Sequence, residues 1–278
     1  MELVVFDLDG TLLNSDSAIS SYTRETLELL ADRDVAYTVA TGRTLHAARA
    51  IIDGHGFNLP HIYKNGVMIW HPNSLEFSHR NLLTMVELEH VVEACMAQSL
   101  TPFVFTLDGQ DNHAVYHPPL LSDIERRLAD NYVRANDLRV APISQLPAEA
   151  QITNVSAIGV PPSIRRVVTL VENEEHLVAY SGTAFESENL NWLDIHHSNA
   201  SKGGAIEVLK GMLGIERVIC FGDNDNDLSM FALADESYAP SNANARVQAA
   251  ATSVIGHHDE EGIARFLRER FSLAGGGS

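Results

Sequence analysis

Asp7 and Asp9 stand two residues apart in the string Phe6-Asp7-Leu8-Asp9-Gly10-Thr11, directly behind the apolar run at 3–6. A short apolar run of this kind reads as a buried strand, and open α/β sheets place their ligands beyond the carboxyl ends of their strands. Once the strand gives way to a turn at Gly10, both carboxylates can point into one pocket. That geometry calls for a cation, and Mg²⁺ suits it, because it takes oxygen donors, often one or two carboxylates together with water and phosphate oxygens. A second acidic cluster, Gly222-Asp223-Asn224-Asp225-Asn226-Asp227, follows the apolar run at 217–221 and precedes a helical pattern. It looks like the opening of a calcium loop of the EF-hand kind. Such a loop needs Gly at its sixth position and Glu at its twelfth, where this chain has Leu228 and Ala234, so the calcium-loop reading falls.

Two further strings offer partners for an anion. Thr41-Gly42-Arg43 closes the apolar run at 35–40 just before a helix, and a Thr hydroxyl, a Gly that lets backbone approach closely and the N–H groups of a helix start together make a phosphate cradle. A plain helix N-cap explains Thr-Gly at such a place equally well. Lys202, in Ser201-Lys202-Gly203-Gly204, sits at a helix start, where the helix dipole favours acidic side chains, so a neighbouring anion would account for it.

These strings are positioned by two kinds of pattern. Residues 1–66 alternate apolar runs (3–6, 35–40) with helical spacing (22–31, 45–52), and the same rhythm returns at the C-terminus, with helices from about 201, over 228–234 and over 260–271, and strands at 217–221 and 237–239. Alternation of this kind predicts an α/β fold, a Rossmann-like doubly wound parallel sheet built from both ends of the chain. The middle reads as an inserted α+β module. It has helices over 86–98, 120–133 and 164–172, a hairpin of 103–107 and 114–116 around Asp108-Gly109, a strand at 155–160, and a second hairpin, 177–180 with 184–186, around Ser181-Gly182. The expected division is a discontinuous core, residues 1–82 and 189–274, and an inserted domain, residues 83–188.

Composition narrows the partners. The chain has 278 residues, 45% of them apolar, enough for a sizeable core. Its 19 Lys+Arg against 37 Asp+Glu give a formal charge of −18, which repels nucleic acid and anionic membranes. The same field repels a phosphorylated metabolite, so a phosphate site must be rescued locally by a metal, backbone N–H groups or a placed cation. Cys95 and Cys220 lie in apolar stretches and read as buried thiols. No targeting segment and no apolar run of about 18 residues is present, so a cytoplasmic protein, a monomer or homodimer, is expected; Gly275-Gly276-Gly277-Ser278 reads as a linker.

In their order, the four strings Asp7 to Thr11, Thr41 to Arg43, Ser201 to Gly203 and Gly222 to Asp227 resemble the haloacid dehalogenase superfamily, and within it the Cof-like phosphatases with a type IIB cap. Asn65-Gly66 and Ser241-Asn242-Ala243 resemble weaker elements of the same family. The resemblance implies a Mg²⁺-dependent phosphatase for a small phosphorylated metabolite, a sugar phosphate or similar. Asp7 would be the nucleophile that becomes an aspartyl-phosphate, and Asp9 the acid/base partner. Mg²⁺ would be held by Asp7, the backbone carbonyl of Asp9 and Asp223, with Asp227 nearby. Thr41, Gly42, Arg43, Lys202 and Asn226 would hold phosphate or substrate, and residues 83–188 would be the cap. The family's dehalogenases lack the second Asp and its ion pumps carry Thr there, so a pair such as Asp7 and Asp9 fits ester hydrolysis. The alternatives are a phosphomutase of the same superfamily and a regulatory protein that binds a phosphometabolite without turnover.

Overall fold

The computed structural model describes residues 2–108, 112–136, 138–184 and 187–273. The chain forms two compact units, Met1–His79 with Ser201–Ser278, and Arg80–Ala200. Its first segment runs β1 (Glu2–Phe6), α1 (Ser21–Ala31), β2 (Ala36–Val39), α2 (Leu45–Ile52), β3 (His61–Tyr63), β4 (Met68–His71) and β5 (Glu76–Arg80). The inserted unit follows with α3 (Met85–Ala97), β6 (Phe103–Leu107), β7 (His113–His117), α4 (Asp123–Asn136), β8 (Arg139–Pro142), β9 (Gln151–Gly159), α5 (Pro161–Val171), β10 (Leu177–Ala184) and β11 (Ser187–His197). The chain returns to the first unit with α6 (Lys202–Leu213), β12 (Arg217–Phe221), α7 (Leu228–Leu233), β13 (Glu236–Pro240), α8 (Ala245–Ala250), β14 (Ser253–Ile255) and α9 (Gly262–Arg270).

In the first unit five strands form a parallel sheet in the order β14-β13-β12-β1-β2. The strand β1 is fully buried from Leu3 to Phe6, as its unbroken apolar run requires of a strand covered on both faces. Its register sets Phe6 opposite Phe221 of β12 on one side and Val39 of β2 on the other. The carboxyl ends of these three strands are therefore level, and the residues that follow them leave the sheet along one edge. The order reverses at β1, since β2 lies to one side and β12 to the other, which is the switch point at which open sheets of this class bind ligands. A parallel bridge from Ala40 to Ile62 carries the chain on to the small sheet β3-β4-β5.

The second unit is built on a six-stranded sheet, β10-β11-β9-β6-β7-β8, antiparallel except between β7 and β8. Leu88, Val91 and Cys95 of α3 and Ile164, Val167 and Val171 of α5 share a core with Val104, Val155, Leu193 and Ile195 of the sheet. Phe103, Phe105 and Val115 make a separate core with Ala129 of α4. The helix α3 is started by a reciprocal capping box between Thr84 and Glu87.

The expected hairpin around Ser181-Gly182 is not there. The strand β10 runs through both residues, with Ser181 opposite Leu193 and Gly182 opposite Trp192. Gly182 serves packing rather than a turn, because a Cβ there would stand 3.0 Å from the Trp192 indole. Residues 185 and 186, expected in that hairpin, lie outside the described residues, as do Gly109 of the other expected turn and the tail 274–278. Residues 189–197 were expected in the core segment, but they continue β11 and pair with β9 and β10, so the second unit extends to Ala200. The strands β4, β5, β8 and β14 and the helix α8 were not read from the sequence. Among the described residues no helix is long and apolar enough to cross a membrane.

Candidate active site

Asp7 leaves β1 in an extended conformation, its N–H still bonded to the Phe221 carbonyl at 2.9 Å. The chain then closes a single wide turn over Leu8–Leu12, in which Gly10 takes φ +73°. A side chain at Gly10 would be strained at this φ, and its Cβ would also stand 2.5 Å from Asp223 Oδ2. The turn is pinned from two sides: Thr11 Oγ1 donates to Asp223 Oδ1 at 3.1 Å, and Asn242 Nδ2 donates to the Gly10 carbonyl at 2.7 Å.

Lys202 is fully buried at the first position of α6, where Ser201 is the N-cap and accepts the Gly204 N–H. Its ammonium donates to Asp7 Oδ1 at 2.5 Å and to Asp227 Oδ1 at 2.6 Å. The anion that this helix start called for is thus a pair of side chains. Asp227 is also fully buried, and its Oδ2 accepts the N–H groups of Asp223 and Asn224 at 2.9 and 3.0 Å, so it holds both Lys202 and the loop after β12. Two glycines permit this closeness. A Cβ at Gly203 would stand 2.2 Å from the Ser229 carbonyl oxygen, and one at Gly66 2.1 Å from that of Ser201.

Electrostatics follow from burial. Loss of water raises the Asp7 carboxyl well above its usual range, Lys202 pulls it back down, and the charges of Asp227 and Asp223 push it up again. Burial, with the Asp227 charge next, raises Asp223 to about 6. Burial works against the charge on Lys202, but Asp227 and Asp7 outweigh it and hold the ammonium protonated. Three carboxylates thus share one buried cation. Oxygens of Asp7, Asp223 and Asp227 lie within 4.8 Å of one another, an all-oxygen set that fits a hard divalent metal.

Asp9 and Arg43 do something else. Arg43 Nε and Nη2 donate to the two oxygens of Asp9 at 2.7 and 2.5 Å, a fork-on-carboxylate pair. That hydrogen bonding to Asp9 raises the Arg43 guanidinium further. Arg43, expected to hold phosphate or substrate, makes these bonds to Asp9 and a longer one from Nη1 to the Ala47 carbonyl at 3.4 Å. Thr41 is buried, and its Oγ1 accepts the Arg43 N–H at 3.1 Å; the N-cap of α2 is Thr44, which accepts the Ala47 N–H, so the capping alternative for Thr41 does not hold. Gly42 lies against Asn65, whose Oδ1 would stand 3.2 Å from a Cβ there. Asn226 Nδ2 donates to Asn65 Oδ1 at 2.9 Å, which ties the loop after β12 to the turn after β3.

All nine expected site residues lie in the first unit, in the segments that follow β1, β2 and β12 or at the start of α6. Thr11, Asn65 and Asn242 were not among them, although each stands inside a string that the sequence already marked. Their contribution is a hydrogen bond to another site residue, and no local pattern announces that.

A family model described as haloacid dehalogenase-like hydrolase matches residues 4–267. The chain belongs to that family, and within it to the Cof-like members. It is 27% identical over 297 aligned positions to the 5-amino-6-(5-phospho-D-ribitylamino)uracil phosphatase YwtE of Bacillus subtilis (strain 168), with 98% of this chain and 99% of that protein covered. Among solved structures it resembles a haloacid dehalogenase-like hydrolase from B. subtilis (TM-score 0.78, 22% identity, 96% of this chain and 99% of that one). It also resembles the subclass IIB sugar phosphatase BT4131 (TM-score 0.77, 19% identity, 99% and 100% covered).

Proposed function

We propose that this phosphatase hydrolyses a small phosphorylated metabolite, a sugar phosphate or similar, with Asp7 as nucleophile and Asp9 as acid/base group. One observation carries the reading: at the end of the central strand the ammonium of a fully buried lysine donates to Asp7 at 2.5 Å and draws its carboxyl back toward the ionised form against the effect of burial. Burial alone would neutralise Asp7, and a neutral acid is no nucleophile. An Asp7 oxygen bonds to phosphorus as the ester P–O bond breaks, and the leaving oxygen takes a proton from Asp9. Water, giving its proton back to Asp9, then attacks the aspartyl-phosphate, releasing phosphate and restoring Asp7. Lys202, Thr41 and the backbone at Gly42 would hold phosphoryl oxygens, with Asn226 beside them through its bond to Asn65. Arg43 positions Asp9. A divalent metal, Mg²⁺ on this reading, would be held by Asp7 and Asp223, with Asp227 and the Asp9 carbonyl alongside, and would supply neutralising charge to the phosphoryl oxygens. The substrate class is supported by the phosphatases that this chain resembles.

Asp9→Asn and Asp7→Asn, each assayed on an alkyl phosphate and on nitrophenyl phosphate with Mg²⁺, separate the two roles. Asp9→Asn should lower alkyl ester turnover by about 10²–10⁴-fold. The nitrophenyl ester should suffer far less in its first step, because its leaving group needs no proton, and phosphate should accumulate on Asp7, visible by mass spectrometry after acid quench. Asp7→Asn should abolish turnover of both. Equal losses from Asp9→Asn on the two esters with no phosphoryl adduct would overturn the assignment of Asp9. Full turnover in excess EDTA would remove the metal, and an isomerised product without free phosphate would make the enzyme a mutase.

A further inference from the structure

A second cluster of metal-ligand side chains lies in the first unit, at the turn between β14 and α9. Donor atoms of His257, His258 and Asp259 stand within 4.8 Å of one another. His258 Nδ1 lies 2.7 Å from the Leu13 carbonyl oxygen, which accepts only, so this nitrogen carries a hydrogen. In the neutral ring the lone pair is then on Nε2, and Nε2 faces Asp259 Oδ2 at 3.6 Å. With the ring neutral, both atoms are acceptors, and that arrangement asks for a cation. The carboxylate is itself held in place: Ser15 donates from its backbone N–H to Asp259 Oδ1 at 2.7 Å and from Oγ to Oδ2 at 2.5 Å. An imidazole whose other nitrogen donates to a carbonyl, beside a carboxylate fixed by its own hydrogen bonds, is the outer-shell pattern of a metal ligand set. The His258 side chain is 12% exposed and that of Asp259 38%, so an ion has a path from solvent.

We propose that His257, His258 and Asp259 form a transition-metal site, separate from the Asp7–Asp223–Asp227 cluster, with His258 Nε2 and Asp259 Oδ2 as its firm ligands. Two imidazoles and one carboxylate select Zn²⁺, Co²⁺ or Ni²⁺ over Mg²⁺, which prefers oxygen. His257 is the third ligand, and it gives up most, since its Nδ1 now accepts the Asp259 N–H at 3.2 Å. The bound ion would tie Leu13 and Ser15, which follow the nucleophile turn, to the turn before α9. The alternative occupant is a proton, which would make His258 an imidazolium paired with Asp259.

Isothermal titration with Zn²⁺, on the full chain and in excess Mg²⁺ to saturate the acidic cluster, decides between them. Wild type should bind one Zn²⁺ that Mg²⁺ does not displace, and Co²⁺ in its place should give the visible absorption of an imidazole-ligated ion. His258→Asn retains a donor for Leu13 but has no Nε2, so it should lose Zn²⁺ binding while keeping its thermal midpoint without metal. Ser15→Ala, which removes only the outer-shell hydroxyl, should weaken Zn²⁺ by about 10–100-fold. No Zn²⁺ binding by wild type, or equal binding by wild type and His258→Asn, would overturn the site and leave the proton as occupant.

Discussion

Two buried polar clusters, one in each unit, are satisfied in opposite ways. In the parallel-sheet unit Asp7, Lys202 and Asp227 are all buried and all ionisable, joined by two short contacts from one ammonium. In the antiparallel-sheet unit the polar side chains buried in β9 are Thr153 and Asn154, both neutral. Asn154 Nδ2 donates to Asp194 Oδ1 at 2.6 Å and Ser156 Oγ to the same oxygen at 2.8 Å, so that carboxylate is met by neutral donors. A neutral network is complete once its hydrogen bonds are made. A cluster of two buried carboxylates, the half-buried Asp223 beside them and one ammonium is not, because hydrogen bonds do not remove its excess charge. The difference lies in charge: the first cluster is left unbalanced and the second is not.

Lys202→Met should widen that difference most. It leaves Asp7 and Asp227 buried side by side without their cation, and removing one partner of a buried ion pair costs about 3–5 kcal/mol. Denaturant unfolding should show a loss of that order, partly recovered by Mg²⁺; a variant as stable as wild type without metal would show that the cluster stores no unbalanced charge. Asp194→Ala strands the Asn154 amide and Ser156 hydroxyl instead, at about 1–3 kcal/mol. Its deficit should be the same with and without Mg²⁺, and recovery by Mg²⁺ would erase the contrast between the units.

The smallest effect concerns His61, buried in the first unit between the Tyr63 hydroxyl on Nδ1, at 3.0 Å, and the Phe57 carbonyl on Nε2, at 3.1 Å. Burial lowers its pKa from 6.5. The folded state therefore binds this proton less readily than the unfolded chain, so the contribution is full above about pH 6.5 and is lost as pH falls through the folded value. Between pH 7.5 and 5 wild type should lose more stability than His61→Gln, and parallel curves would show that His61 does not titrate on unfolding.

Much of the first unit was legible because its signals are local. The apolar run of β1 ahead of Asp7, the runs of β2 and β12 and the Asp-Gly turn at Gly10 each declare themselves within a few residues, and their alternation with helices implies a parallel sheet. The second unit was harder. Gly182 carries the same local signal whether the chain turns there or makes room for an indole, and only the pairing of β10 with β11 distinguishes the two. The strands β4, β5 and β8 are short and carry polar residues, so their alternation is too brief to stand out.

At the site the sequence by itself determined the chemical inventory, the carboxylates, lysine, threonine and glycines, and the strand ends and helix starts that carry them. The tertiary structure decided who meets whom. Lys202 found Asp7 across 195 positions and Asp227 across 25, while Arg43 turned to Asp9 rather than to a free cradle. Strand and helix patterns are set by neighbours two to four residues away, whereas these contacts depend on the register that levels β1, β2 and β12 and on glycines that let the start of α6 approach α7 and the turn after β3.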